Sequence, residues 1–439
     1  MSSPAVAPAR SKNLSSEERK VLAGTLVGTS IEWYDFFIYA QAAALVLAPL
    51  FLAPVAKENP ALAQVLSFAT IGISFLFRPL GAVVAGRLGD RLGRKKMLVL
   101  TLVMMGLSTS LIGFLPDYSA IGIAAPILLI LLRILQGFSA GGEWGGAALM
   151  AVEHAPKNRR GLFGAFPQIG VPIGMILATF TLWALTSSMS KEAFLAWGWR
   201  VPFLLSIVLI VVGFVIRRAV EESPVFDELV RRRKESSAPL GELFRHHTRQ
   251  VFLTAVIFIA NNAAGYLLIA YFAAYASTAL RMDRPSVLLA TALASFGWLI
   301  FTLWGGHLSD RLGRVRTFQL GYILLAVWAI PMWFLIDSRN IVLYFVALFV
   351  MTLGLGLSYG PQAALYAEMF PANVRYSGVS IGYALGAVLG GAFAPMIADA
   401  LLNQFHSSWV IGVYIAVAAA ISFAGVSAVK EPRDVDLLA

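Results

Sequence analysis

The chain has 439 residues, of which 58% are hydrophobic and only 13% charged, and its mean hydropathy is +0.75. Soluble chains carry about 45–50% apolar and roughly 25% charged residues, so this one lacks the polar surface to coat a water-facing body, and disorder is excluded on the same grounds. With no cysteine, disulfides, thiolate metal sites and cysteine nucleophiles are ruled out. The net charge of +10 and pI near 9.8 leave nucleic acid, an anionic membrane surface or membrane topology as readings, and the position of the charges must decide.

Residues 1–20 form a polar tail containing Arg10, Lys12, Glu17, Glu18, Arg19 and Lys20. No short apolar core with a small-residue cleavage site opens the chain, so no cleaved signal peptide is expected. From Val21 onward, apolar stretches recur, each long enough to cross a bilayer at about 20 residues per span. Twelve are expected, near 21–51, 62–88, 97–115, 121–150, 161–187, 200–219, 250–279, 287–308, 316–336, 340–367, 376–403 and 408–429. Gly and Pro are scattered inside them, as membrane helices tolerate. The expected fold is an all-α membrane protein embedded in a lipid bilayer.

Of 34 basic residues, 26 fall in the tails and in the loops after even-numbered spans if the N-terminus is cytoplasmic. Six (Lys57, Lys191, Arg200, Arg281, Arg284, Arg339) fall on the other side, and two, Arg78 and Arg133, lie within spans. That asymmetry is the positive-inside pattern, with both termini cytoplasmic. The basicity therefore records topology and gives no nucleic-acid footprint. The run Arg231, Arg232, Arg233, Lys234 sits beside Glu221, Glu222, Asp227, Glu228 and Glu235 and reads as a solvated linker helix.

Gly86-Arg-Leu-Gly-Asp-Arg-Leu-Gly-Arg94 recurs as Gly306-His-Leu-Ser-Asp-Arg-Leu-Gly-Arg314, identical at seven of nine positions with an offset of 220. Glu153, Pro156 and Arg160 recur with the same spacing as Glu368, Pro371 and Arg375. Two repeats at nearly equal offsets imply two homologous six-helix halves with a site at the midplane between them. The expected division is a tail (1–20), a bundle (21–219), a linker (220–249), a second bundle (250–429) and a tail (430–439).

The segment Gly86-x-Leu88-x-Asp90-Arg91-x-Gly93-Arg94-Lys95 resembles the loop signature of the major facilitator superfamily. Glu32-Trp33-Tyr34-Asp35-Phe36, Phe77-Arg78-Pro79-Leu80-Gly81 and the fourth-span string from Arg133 through Gln136, Gly142 and Glu143 to Gly146 resemble its metabolite:proton symporter family. That family includes shikimate, α-ketoglutarate, citrate and proline/betaine permeases, and the similarity spans essentially the whole chain. The resemblance implies an inner-membrane secondary transporter working by alternating access. Such a carrier is driven by a proton gradient without a cofactor, and a monomer is expected to function.

The loop signature has its own physics. Glycine lets the helix end turn, while Asp90 is suited to cap the next helix or to pair with Arg91 or Arg94. Asp310, Arg311 and Arg314 can do likewise in the second copy. With Glu153, Arg160, Glu368 and Arg375 they are expected to form cytoplasmic ion-pair clusters holding the outward-open state; the bland alternative is charge that only sets topology.

Five ionisable residues lie well inside spans: Glu32, Asp35, Arg78, Arg133 and Glu143. Each costs at least ~2.5–3.5 kcal/mol at mid-bilayer unless it faces a cavity or a partner. Glu32 and Asp35 share one stripe of span one with Gly28 and Tyr39, and Arg133, Gln136, Ala140 and Glu143 share a face of span four. At ~1.5 Å per residue, Glu32 and Arg78 lie at similar depth, as do Asp35 and Arg133, which makes each pair expected neighbours; Glu143 could compete for Arg78. Three acids against two arginines leave one acid without a basic partner, and such an acid is a candidate proton carrier. Arginine stays charged and offers a fork to a carboxylate. The expectation is that Asp35 exchanges the proton as Arg133 switches between it and an anionic substrate, with Glu32, Glu143 and Arg78 tuning the site. A structural ion-pair network is the alternative.

Further candidate substrate contacts are Tyr34 and Gln136 in the first half, with Asn261, Asn262, Tyr266, Tyr271, Tyr359, Gln362 and Tyr366 in the second. Helix–helix hydrogen bonding is the bland reading for each. Gly137-Phe-Ser139-Ala-Gly141 fits a nucleophile pattern, but it lies in a membrane helix with no histidine partner, so no enzyme is expected. The five histidines (His154, His246, His247, His307, His406) form no closed metal site with carboxylates. Gly170-Val-Pro172-Ile-Gly174 partly resembles the Gly-Pro motif of drug:proton antiporters, which keeps export as an alternative. The two arginines favour a small organic acid as substrate, with a zwitterionic osmolyte as the other alternative.

Overall fold

The structure, a computed structural model, describes residues 14–42, 46–232, 239–432 and 435–437. Arg10, Lys12, Arg233, Lys234 and Glu235 lie outside the described residues. In chain order the spans of the first half are one (Ser16–Ala42), two (Pro60–Leu92), three (Arg94–Phe114), four (Ala124–Glu153), five (Lys157–Ser188) and six (Arg200–Arg218). Those of the second half are seven (Thr248–Thr278), eight (Arg284–Leu312), nine (Arg314–Trp328 with Pro331–Asp337), ten (Ile341–Met369), eleven (Arg375–Phe405) and twelve (Trp409–Ser427).

Among the described residues, ten helices are long and apolar enough to cross a membrane, and the two pieces of span nine, bent by 49°, make an eleventh. Pro331 supplies the bend, because its ring nitrogen cannot donate to the preceding turn. Span one is the twelfth; its 27 residues include the buried Glu32 and Asp35. The helices run past the expected bounds chiefly at the ends bearing the basic loops, and within the expected first span, 21–51, the described helices are Ser16–Ala42 and the short Ala48–Phe51. Span two continues past its apolar stretch through Asp90 and Arg91 to Leu92, and span three starts at Arg94, so the loop signature is mostly helical. Gly93 (φ 105°, ψ 158°) alone separates them, and Gly313 (φ 103°, ψ 158°) repeats the break in the second half. Only glycine adopts this region without strain.

Within the first half, span two packs on four, three on six and one on five; in the second, eight packs on ten and seven on eleven. Small residues set the closest approaches: Gly137 and Gly141 bring span four onto the backbone of span two at Ser74 and Arg78. Gly382, Gly386 and Gly390 likewise seat span eleven on span seven. The halves meet where span two packs on span eleven and span five on span eight. The linker carries two short helices, Pro224–Arg231 and Pro239–His246, and the first buries Val225, Phe226 and Leu229. Leu76, Phe114, Phe180, Val211, Phe252 and Val327 are among the many large apolar side chains facing outward, the surface of a protein that sits in lipid.

Candidate functional site

At the face bearing the basic loops, the two halves are joined by a layer of buried charge. Arg375 Nη1 donates to Glu153 Oε1 at 3.1 Å, and Arg160 Nη1 donates to Glu368 Oε1 at 3.5 Å, so one arginine from each half reaches a glutamate of the other. Within the halves, Arg94 lies 3.2 Å from Glu153 and 3.8 Å from Asp90, while Arg314 lies 3.2 Å from Glu368 and 2.7 Å from Asp310. Arg91 and Arg311 are exposed beside them.

The signature aspartates do not cap the next helix. Asp90 accepts from the backbone N–H groups of Tyr376 and Ser377, both at 3.0 Å, at the start of span eleven. Asp310 accepts from Gly161 N (2.8 Å) and Leu162 N (2.9 Å) at the start of the span-five helix. Each carboxylate thus fills the N-terminal anion position of a helix in the opposite half, where unpaired N–H groups and the helix dipole favour negative charge. The next helix has a different cap, which sequence reasoning missed. Glu222 accepts from Arg94 N (3.0 Å) and Lys95 N (3.1 Å), and Glu431 accepts from Arg314 N (2.9 Å) and Val315 N (3.0 Å). Each follows the last helix of its half and lies against the positive-φ glycine. Their matched positions are the signal a reader could have used.

The charges inside the membrane are arranged otherwise than depth alone suggests. Asp35 is not paired with Arg133: its Oδ1 accepts from Ser206 Oγ of span six at 2.6 Å. Arg133 is held by the carbonyl oxygen of Thr70 (3.3 Å), by Gln136, and by the ring of Tyr39, whose centroid lies 3.6 Å from the guanidinium carbon. Gln136 in turn donates to Thr109 at 2.6 Å. A guanidinium supplied with carbonyls, an amide and an aromatic face is satisfied without a carboxylate. Arg78 stacks on Phe75 (4.5 Å), Phe36 (5.5 Å) and Trp33 (5.8 Å), and it interacts electrostatically with Glu32 without a contact inside 4 Å. Glu143 does not compete for Arg78. It is gripped by both terminal nitrogens of Arg217 and accepts from Thr101 Oγ1 at 2.7 Å. Arg217, the penultimate residue of span six, reads from the sequence as a topology-setting charge; it is 4% exposed, so the group holds three acids and three arginines.

Between the halves lies a small, narrow cavity lined by Trp33 and Val171 from the first half and by Asn261, Asn262, Tyr266, Trp298, Tyr359 and Tyr383 among others from the second. Trp33 and Tyr266 (ring centroids 6.5 Å apart) stand between this cavity and Arg78. Asn261 donates to Leu355 O (3.0 Å) and Ser358 Oγ (2.8 Å), which is the helix-bridging alternative for that residue. Tyr34 donates to Pro202 O at 2.9 Å inside the first half and does not line the cavity. Gln362 receives a bond from Gln168 (3.2 Å), a span-five residue that also donates to Tyr359 O (3.1 Å) and accepts from Trp144 Nε1 (2.5 Å). Trp144 lies flat on Tyr383, centroids 3.9 Å apart. Of these, Tyr383, Trp298 and Gln168 were not singled out by the sequence. Ser139 donates to Leu135 O (2.8 Å) within its helix, so the nucleophile-like string lacks the required turn.

Residues 26–395 match the profile of the Major Facilitator Superfamily. Inner membrane metabolite transport protein YhjE of Escherichia coli (strain K12) is 39% identical over 426 residues, 95% of each chain. The shikimate transporter of the same organism is 36% identical, with 93% of each chain covered. The glycine betaine/proline/ectoine/pipecolic acid transporter OusA of Dickeya dadantii (strain 3937) is 33% identical over 92% of this chain and 81% of its own. In fold, the chain is similar to the proton:xylose symporter XylE (TM-score 0.77, 17% identity, 94% and 95% of the two chains covered). With twelve spans in two packed halves and relatives of this kind along nearly its whole length, the chain is a multi-pass membrane transporter, not an enzyme, and belongs to the Major Facilitator Superfamily.

Proposed function

We propose that the protein is a proton-coupled symporter that imports a small organic acid across the inner membrane by alternating access, without a cofactor and as a monomer. The observation that carries this reading is the grouping around the cavity. Arg78 is held by rings behind the Trp33–Tyr266 partition with the acid Glu32 in electrostatic reach, and neutral Asn262 and Tyr359 of the other half line the cavity. A bound carboxylate that displaces the partition gains the guanidinium, and the acids of span one take the compensating proton. Glu32 and Asp35 each have a buried carboxylate oxygen with no hydrogen-bond partner, a place where a proton is readily held. The layer of crossed ion pairs at the cytoplasmic face supports its role as the gate that is shut in this conformation. The related shikimate transporter agrees with the substrate class.

The aromatic lining of the cavity favours a second reading, in which the substrate is a zwitterion whose ammonium group rests on Trp33, Trp298 or Tyr359. One experiment separates the two: proteoliposomes given an inward proton gradient and a panel of labelled α-ketoglutarate, citrate, shikimate, aromatic acids, betaine and proline. Accumulation of an acid that collapses with an uncoupler supports the first reading, accumulation of betaine or proline the second. Efflux driven by the gradient, or no gradient dependence, overturns both.

A further inference from the structure

Arg217, paired with Glu143, lines a second crevice that shares no lining residue with the central cavity. This narrow crevice lies between spans one, three, four and six and is lined by Val21, Gly24, Thr25, Lys95, Leu98, Met150, Arg217 and Val220. Its outer rim is at the cytoplasmic helix ends, where Lys95 Nζ donates to Arg218 O at 3.0 Å. At its floor, Arg217 donates to Leu98 O and to both oxygens of Glu143, and its Nε is buried without a protein partner. The guanidinium lies over Gly28, where any side chain would collide with it, one turn from Glu32 on the same helix. Glu143 is thus faced by Arg217 from span six, by Thr101 from span three, by Glu32 from span one and by Tyr376 from span eleven. Tyr376 also donates to Gly142 O (2.9 Å) across the interface between the halves.

We propose that Glu143 and Arg217 form a proton port to the cytoplasm inside the first half, separate from the path taken by substrate. This inference rests on the proton-coupled reading above. In the present conformation the port is shut: both Glu143 oxygens are occupied, and Tyr376 fixes the neighbouring carbonyl. Opening the gate carries span eleven and Tyr376 away and releases span four. The proton on Glu32 then passes to Glu143; the O–H bond on Glu32 breaks, one forms on Glu143, and Glu32 is left as a carboxylate opposite Arg78. Glu143 gives the proton to water entering the crevice, and Arg217 closes again on the restored carboxylate. A port that closes with the gate prevents proton leak while the site faces outward.

The chain has no cysteine, so Val220→Cys places a single thiol on the crevice wall. The test uses the full chain in nanodiscs and time-resolved infrared detection of carboxyl protonation after a pH step, with no substrate present. Glu143→Gln is expected to remove one protonating carboxyl band, and Arg217→Lys, which keeps the charge, is expected to shift the same band should Glu143→Gln fail to fold. A bulky, membrane-impermeant maleimide on Val220→Cys is expected to slow the rise of that band at least ten-fold. A thiol that does not react, a band unaffected by either variant, or an unchanged rate after blocking overturns the port. If the port fails while a proton gradient still drives accumulation, coupling stands and the proton leaves through the gate. If transport proves independent of protons, the infrared measurement still decides whether Glu143 exchanges a proton through the crevice.

Discussion

Arg375 at the start of span eleven reaches Glu153 at the end of span four across 3.1 Å, and Glu153 also holds Arg94, so one buried carboxylate serves both halves. Removing one partner of a buried ion pair leaves the other charge uncompensated, at a cost of roughly 3–5 kcal/mol. Here that cost falls on the gate-closed state, because separation of the halves lets the stranded arginines reach water. Glu153→Gln should therefore shift the population toward the inward-open form by about 100-fold or more, as a bias of this size implies. Distances between spin labels at the cytoplasmic ends of spans two and eleven would lengthen; an unchanged distribution contradicts the gate.

Asp90 and Asp310 make the same contact in mirrored positions, each capping a helix of the other half. Loss of an N-terminal cap costs about 0.5–2 kcal/mol. Asp90→Asn and Asp310→Asn should each lower the transport rate several-fold while the protein still inserts in the membrane, and the double variant should lose more than either. Wild-type rates for Asp90→Asn would mean that these charges only set topology.

Gly93 and Gly313 occupy backbone conformations open to glycine alone, and a Cβ at either would meet the carboxylate of Glu222 or Glu431. Gly93→Ala should destabilise the protein by roughly 1–3 kcal/mol through strain, before the loss of the cap is added. Thermal unfolding of the purified protein would register this as a lower Tm. A Tm equal to wild type would show that the break between spans two and three tolerates a side chain.

Asp35 is buried with one oxygen on Ser206 and the other unpartnered. Asp35→Asn keeps the shape and the Ser206 contact but carries no exchangeable carboxyl proton. Uphill, proton-driven accumulation should vanish while exchange of labelled for unlabelled substrate continues. Intact uphill uptake removes Asp35 from coupling and leaves Glu32 as the span-one acid to test.

The fold was legible because membrane spans declare themselves by composition: lipid demands apolar side chains over a whole helix, and the loops between are marked by charge. The duplicated loop signature and the Glu-x-x-Pro-x-x-x-Arg repeat showed that the halves are homologous. The pairings were less legible. Depth ranks residues along the membrane normal but says nothing of which helix faces which, so Asp35 and Arg133 at similar depth turn to Ser206 and Tyr39 instead of to each other. Arg217 sits beside Arg218 at a helix end and looks like a topology charge until span six is packed on span three, which buries one and leaves the other exposed. Glu222 and Glu431 were hidden among loop charges because a cap contributed from more than 100 residues away leaves no local spacing to read.

The central claim is that the substrate and a proton move together. Proteoliposomes preloaded with a pH-sensitive dye, with no imposed proton gradient, should be offered the acid that the panel selects, as an outside-to-inside gradient. The account predicts that the interior acidifies in step with substrate entry in the wild-type protein, and that the acidification is lost in Asp35→Asn. Substrate entry with no proton movement in the wild-type protein would contradict it.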